Sequence, residues 1–218
     1  MKREVNLSDI SDGKLYSSND MVRADCQGCN GCFACCCGMG SSVVLDPLDV
    51  DRLAKYLKLS SRQLLGGPVA LGVVDGLVLP HLNMDGDGER CLFLGADGRC
   101  RVYIARPGIC RIFPLGRFYE NGSFRYFLQT HECPNNTRTK VKVRKWVDMP
   151  DLSRYETYIS HWHYFLLALQ ERVRELEDID KARQLSMELL TEFYLKEYDE
   201  GGDFYDQFSE RLAGWKRW

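Results

Sequence analysis

The chain lacks most of the features that assign a function from sequence. Of its 218 residues 28% are charged, and the net charge is −2, so no excess of one sign indicates nucleic acid or an anionic membrane. The apolar runs are too short to span a bilayer. Residues 1–14 are polar and lack the apolar core of a secretory signal. We therefore expect a cytoplasmic protein without a nucleic-acid or membrane partner.

Motifs for common catalytic sites and cofactors are missing as well. Gly38-Met39-Gly40 lacks a third glycine and follows no clear strand, so it does not predict a dinucleotide site. The order of Ser, His and Asp residues indicates no catalytic triad. His161 and His163 lie two apart on a predicted helix and do not share a face, which makes them a poor metal pair. Whether the protein is an enzyme stays open.

Cysteine is abundant, with ten residues, six of which lie between Cys26 and Cys37. Disulfides are rare in the cytosol, and cysteines packed so closely cannot all pair with each other without strain. Incidental buried cysteines would not concentrate in one glycine-rich loop. Clustered cysteines of this kind bind metal or carry out redox chemistry, and a reversible dithiol site is the alternative to metal binding.

The spacing of the cysteines predicts convergence on a metal. In Cys29-Asn-Gly-Cys32-Phe-Ala-Cys35-Cys36 the two-residue gaps let successive sulfurs turn toward one centre. Adjacent side chains point in different directions, so we expect one of the last two cysteines to bridge, to serve a second centre or to stay unbound. Further cysteines downstream are too widely spaced to form a site alone and would complete the first one. They are Cys91, Cys100, Cys110 and Cys133.

This pattern resembles the YkgJ-type cysteine-cluster proteins, which carry C-x-x-C-x-x-C-C, then C-x-F-L, C-x-x-Y/H, R-P-x-x-C-R-x-F-P and a late cysteine. The stretch from Arg106 to Pro114 fits without a gap, and the resemblance covers about residues 26–134. It implies chelation of zinc or iron, and it leaves Cys26 and Cys37 outside the core pattern. The implied ligands are Cys29, Cys32, Cys35, Cys36, Cys91, Cys100, Cys110 and Cys133.

Charge favours an iron–sulfur cluster, expected as 4Fe-4S, over zinc. Eight thiolates on two Zn²⁺ ions leave a charge of about −4, whereas a four-iron cluster on four thiolates leaves about −2. Arg106 and Arg111 flank Cys110. We expect both guanidinium groups to contact the ligand sulfurs from the side away from the metal. These N–H···S contacts would offset the remaining negative charge and tune the reduction potential of the cluster. Zinc is the alternative metal.

Three functions are compatible with these observations. The first is an accessory protein that holds a cluster or metal for electron transfer or metal handling. The second is a protein lysine N-methylase-like enzyme, implied by a similar cysteine motif in flagellin lysine-N-methylases, although no methyl-donor site is recognisable. The third is a structural zinc module in which metal controls folding.

Apolar periodicity predicts an α+β fold with short hairpins and a helical C-terminal tail. Hairpin turns are expected at Asp75-Gly76 and Asn121-Gly122, and Asp46-Pro47 predicts the start of a helix. We expect a cysteine-bearing domain over residues 1–148. A helical extension over residues 149–218 would pack on it and offer a surface for a protein partner.

Two further local predictions concern the region where these parts meet. Residues 138–146 alternate charged and apolar side chains, which predicts a half-buried strand. Ser153 followed by Glu156 predicts a capping box at the start of a long helix.

Overall fold

The fold is a mixture of helices and small antiparallel strand pairs, which confirms the predicted α+β class. The computed structural model describes residues 6–26, 32–85, 89–135, 137–176 and 178–215. Cys29 of the central motif lies outside the described residues. No helix in these ranges has both the length and the apolar character needed to cross a bilayer.

The strands form four separate antiparallel pairs within the described residues. Their bounds are β1 Met21–Asp25, β2 Val69–Val74, β3 Leu77–Leu82, β4 Met84–Asp85, β5 Arg90–Cys91, β6 Leu115–Glu120, β7 Ser123–Leu128 and β8 Thr139–Lys142. β2–β3, β4–β5 and β6–β7 pair with their sequence neighbours, whereas β1 pairs with the distant β8. Asp75-Gly76 and Asn121-Gly122 form the turns of two hairpins with positive φ throughout, so both predicted turns are confirmed.

The helices are short before residue 148 and longer after it. They are α1 Leu7–Ile10, α2 Pro47–Leu57, α3 Ser61–Leu65, α4 Gly108–Ile112, α5 Val143–Val147, α6 Leu152–Glu175, α7 Ile179–Leu190 and α8 Phe204–Trp215, with a π-helical turn at Thr191–Leu195 after α7 and 3₁₀ turns at Ala34–Cys36 and Tyr103–Ala105. The predicted start of α2 is confirmed. The Asp46 carboxylate accepts from the Asp49 amide, and the Asp49 carboxylate accepts from the Asp46 amide.

The predicted strand over residues 138–146 is wrong in its second half. β8 ends at Lys142, and Val143 begins the one-turn helix α5. Val143 and Val147 are both fully buried. A strand would place Lys145 on the same buried face as the two valines, whereas the helical turn buries Val143 and Val147 and leaves Lys145 exposed.

The predicted capping box of the long helix is also wrong. α6 begins at Leu152, and its N-cap is Asp151, whose carboxylate accepts from the Arg154 amide. Asp is a strong N-cap residue and stands two positions before Ser153. The Glu156 carboxylate instead accepts a hydrogen bond from the Tyr126 hydroxyl at 3.0 Å, which ties the helix to β7.

One hydrophobic core includes buried side chains from both sides of residue 148, and the expected domain boundary there stays a prediction. Trp162 of α6 packs against Phe193 and Phe208, with ring centroids 5.2 and 6.0 Å away. The Tyr194 hydroxyl donates to the Leu45 carbonyl at 3.0 Å, just before α2. The aromatic side chains of the tail therefore support the cysteine-bearing part.

Gly108 marks the closest approach of the two parts. A Cβ atom at this position would lie well inside van der Waals contact of the Tyr155 hydroxyl oxygen on α6. The Gly108 amide donates to the Asp49 carboxylate at 2.8 Å, so the backbone cannot move away without loss of a buried hydrogen bond.

We expect Gly108→Ala to lower the free energy of unfolding by about 1–3 kcal/mol, because the added methyl group overpacks a buried contact. Urea denaturation followed by far-UV circular dichroism measures this change. Gly214→Ala in α8 is the matched control, because a Cβ there meets no atom within 4 Å. An equal loss of stability in both variants would contradict the assigned contact.

Candidate metal centre

Cysteines from three separated segments line one cavity of about 450 Å³. They are Cys32, Cys35, Cys36, Cys91, Cys100 and Cys110. The remaining wall includes apolar side chains such as Met39, Val43, Leu82 and Phe93. Six of the eight predicted ligands therefore face a common space, although they come from positions up to 78 residues apart.

The first segment reaches the cavity through a 3₁₀ turn at Ala34–Cys36. The Cys36 amide donates to the Phe33 carbonyl at 2.8 Å, which closes the turn. Cys37 then forms a β-bridge with Arg90, and the Gly38 amide donates to the Glu89 carbonyl at 3.0 Å. These backbone contacts hold the loop beside the strand that carries Cys91.

The second segment presents Cys91 and Cys100 from a tight loop. Leu94 and Cys100 form a β-bridge across it. The backbone N–H groups of Phe93 and Val102 donate to the sulfurs of Cys91 and Cys100, respectively. Each donor lies two residues after its cysteine. Such N–H···S contacts stabilise a thiolate, and hydrogen bonds to sulfur also tune a bound metal centre.

The third segment places Cys110 on the short helix α4, and a carboxylate of helix α2 holds this helix in place. The Asp49 carboxylate of α2 accepts from the Gly108 amide and lies close enough to Cys110 to raise the pKa of its thiol further. Asp49 is 5% exposed, so burial raises the pKa of its own carboxyl as well. The helix that carries Cys110 is thus anchored to α2 by a buried carboxylate.

The protonation of the thiols differs around the cavity. Burial raises the pKa of Cys91, Cys100 and Cys110. A hydrogen bond with Cys36 lowers the pKa of Cys35 to about 7, and it raises the pKa of Cys36. Cys35 is therefore the most acidic of the cavity thiols whose pKa is shifted.

Arg106 lines the cavity, and its predicted contact with ligand sulfurs stays a prediction. Its guanidinium group stacks over the Tyr103 ring at 4.3 Å, and its charge favours the thiolate forms of Cys35 and Cys100. The Arg106 Nε atom is buried and has no hydrogen-bond partner among the described residues. A buried donor without an acceptor is costly, and an anionic sulfur centre would supply that acceptor.

Arg111 is not among the residues that line the cavity. Its two terminal nitrogens donate to the carbonyls of Ile104 and Asp148 at 2.7 and 2.9 Å, and the side chain is almost fully buried outside the cavity wall. These contacts brace the backbone next to the cysteines. The expected contact of Arg111 with the ligand sulfurs stays a prediction.

The other three cysteines in the described part of the chain do not line the cavity. Cys133 and Cys26 are buried and do not line the cavity. Cys37, which the sequence pattern sets aside, lies near enough to Cys91 to raise the pKa of that thiol. The assignment of Cys133 as a ligand therefore stays a prediction, as does that of Cys29.

The six cavity thiols are suitable ligands for a thiophilic metal, although their sulfur atoms do not surround a common point in this structure. In the described ranges, no three Cys, His, Asp or Glu side chains stand ready to hold a metal ion. The six thiols line a wall and would have to turn toward a common centre. Sulfur donors and a buried, unpartnered guanidinium N–H suit zinc or an iron–sulfur cluster.

Several residues that shape the site were missed by sequence reasoning. Arg117 is buried among aromatic rings, and it donates to the Tyr155 hydroxyl at 2.8 Å. Its charge acts on the buried carboxyls of Asp46 and Asp49, whose pKa values are raised by burial and lowered by this guanidinium. The spacing D-x-x-D is a local signal for two capping carboxylates, but no sequence signal connects Asp46 and Asp49 to Arg117, which lies about 70 positions further along the chain.

The model of the CxxCxxCC domain, described as "putative zinc- or iron-chelating domain", matches residues 28–141, just over half of the chain. The chain belongs to the CxxCxxCC family. The matched span contains the eight predicted ligands and both arginines, whereas Cys26 lies outside it. Comparison with curated proteins and with solved structures gave no match.

Removal of one cavity cysteine tests whether the three segments form a single site. We expect Cys110→Ser to lose most of the bound metal, because its thiol is the sole cavity cysteine on α4. Metal per chain is measured by plasma emission after anaerobic purification. Cys26→Ser is the control, since Cys26 lies outside the cavity wall. Equal metal content in Cys110→Ser and the parent would refute the assembled site.

Metal affinity should rise with pH, because most cavity thiols have a raised pKa and metal must displace their protons. We expect the affinity for Zn²⁺ to increase by about ten-fold or more per pH unit between about pH 6 and about pH 8. Competition of the metal-free protein with a chromophoric chelator measures it. A pH-independent affinity would show that thiols are not the ligands.

Proposed function

We propose that this CxxCxxCC-family protein holds an iron–sulfur cluster and serves as an accessory protein in electron transfer or metal handling. The main support is the gathering of six cysteine thiols from three chain segments around one cavity. The family description supports zinc or iron in general. The number of thiols, the size of the cavity and the cationic Arg106 favour a polynuclear anionic centre over a single ion.

The ligands would come from the cavity wall, with at least one sulfur from each segment. Cys91, Cys100 and Cys110 are held by hydrogen-bonded backbone, and Cys35 carries the most acidic thiol of those whose pKa is shifted. A cluster bound there supplies one-electron chemistry. Arg106 would direct its buried Nε–H at the sulfurs and offset negative charge.

A purely structural zinc site is less well supported. Structural zinc sites are closed tetrahedra, whereas these thiols line an open cavity of about 450 Å³. Metal-dependent modules lack a sufficient core, but this chain has an extensive hydrophobic core that includes Tyr155, Trp162 and Phe193. The partner surface expected on the helical tail stays a prediction, since much of that tail's aromatic surface is buried in the core.

Metal analysis of anaerobically purified protein tests the proposal directly. We expect iron and acid-labile sulfide in similar amounts, with visible absorbance that dithionite bleaches. The same preparation should keep its far-UV circular dichroism after chelation, because the core does not depend on the metal.

Two results would contradict the cluster. A colourless protein with stoichiometric zinc would assign zinc to the cavity. Loss of all helical signal on chelation would favour the structural zinc module. Cys100→Ser should lose the visible absorbance, and Cys26→Ser should keep it, so that adventitious iron is recognised.

A further inference from the structure

Exposed apolar side chains gather on the chain segments that form the cysteine cavity. Half of the twelve exposed large hydrophobic residues in the described part of the chain belong to these segments or, like Tyr56, hydrogen-bond to them, and we call this group the rim. The rim consists of Phe33, Tyr56, Leu92, Tyr103, Ile104 and Ile109. Tyr103 and Ile109 line the cavity itself, and Phe33 contacts Gly98 of its wall. Concentrated apolar exposure of this kind marks interaction surfaces.

The rim is also positively charged. Residues 89–110 contain four arginines, no lysine and two carboxylates, although the whole chain has a net charge of −2. Arg106 stacks on Tyr103 and Arg90 on Phe33, with the guanidinium carbons 4.3 and 5.7 Å from the ring centroids. No described carboxylate lies within ion-pair distance of Arg101. The exposed Arg101 is therefore available to an external anion.

Ile104 is held rigidly with its side chain outward. Its carbonyl accepts from Arg52 at 2.9 Å and from Arg111 at 2.7 Å, and Arg52 also contacts the Met149 sulfur at 2.9 Å. The side chain is nevertheless 72% exposed. A fixed backbone with a projecting apolar side chain loses little freedom on binding, which is the property of a preorganised anchor.

We infer that the rim docks a partner protein through an acidic segment that carries apolar side chains. Apolar anchors together with arginine and aromatic residues are typical of protein interfaces, which are depleted in lysine. A nucleic-acid surface would draw on lysine as well as arginine. The docked segment would cover the cavity mouth. The inference adds a partner to the proposed function and rests on that function for the role of the docking.

Binding of defined peptides to the full-length, metal-containing protein tests the inference. The probe is a fluorescein-labelled amphipathic peptide of Glu and Leu, followed by fluorescence anisotropy. We expect it to bind, and a matched peptide with Lys in place of Glu not to bind. Ile104→Ser and Arg101→Glu should each weaken binding by about ten-fold.

Matched controls lie on α7, away from the cavity. Ile179 is 73% exposed, nearly the same as Ile104, and Arg183 is an exposed arginine. Ile179→Ser and Arg183→Glu should bind the acidic peptide like the parent. Equal weakening by rim and control variants, or equal binding of both peptides, would overturn the inference.

Further measurements on the same variants distinguish a protein partner from RNA and from a second copy of the chain. Tighter binding of a single-stranded RNA oligonucleotide, lost in Arg101→Glu, would overturn a protein partner. So would concentration-dependent self-association in sedimentation that Ile104→Ser abolishes. Metal content, measured in every sample, separates the two proposals: peptide binding by a chain without iron would refute the cluster and leave the docking surface.

Discussion

The carboxylates of Asp46 and Asp49 connect helix α2 to the segment that carries Cys110, and the arrangement of the cavity depends on this connection. At the start of helix α2, each of the two carboxylates accepts a hydrogen bond from the backbone amide of the other residue. The Asp49 carboxylate also accepts from the amide of Gly108. Carboxylates are buried only when charge and hydrogen bonds compensate them, and Arg117 together with the Tyr158 hydroxyl provides this compensation. The position of Cys110 depends on this arrangement, because the segment that carries it is anchored by one of the two carboxylates.

The helical tail supports the site although it contains no cysteine. Tyr155 fits the space left by the missing side chain of Gly108, and Tyr158 and Tyr194 hydrogen-bond to the residues where α2 begins. Each tyrosine buries a ring in the core and uses its hydroxyl group on the cysteine-bearing part. The cysteine-bearing part and the cysteine-free helical tail are therefore joined through specific polar contacts within one hydrophobic core.

Local signals in the sequence were sufficient for much of the fold. Asp46-Pro47 and the two Asx-Gly turns act through neighbouring backbone, and all three occur as predicted. The prediction failed at Val143, where a helical turn buries both valines and keeps the charged Lys145 exposed, which a continued strand would not do. Cysteine spacing indicated a shared site, and six predicted ligands line the cavity. The hydrogen bond between the Gly108 amide and the buried Asp49 carboxylate could not be predicted, because contacts between segments far apart in the sequence produce no periodic pattern of residues.

The order of the segments along the chain has a consequence for biosynthesis. A ribosome releases Cys35 and Cys36 first, Cys110 much later, and Tyr155 and Tyr194 of the tail last. The segment at the start of α2 gains its hydrogen bond from Tyr194 only after the cavity residues have been synthesised. The cysteines that line the cavity therefore leave the ribosome before the aromatic side chains that support α2, and the final packing around the site follows their synthesis.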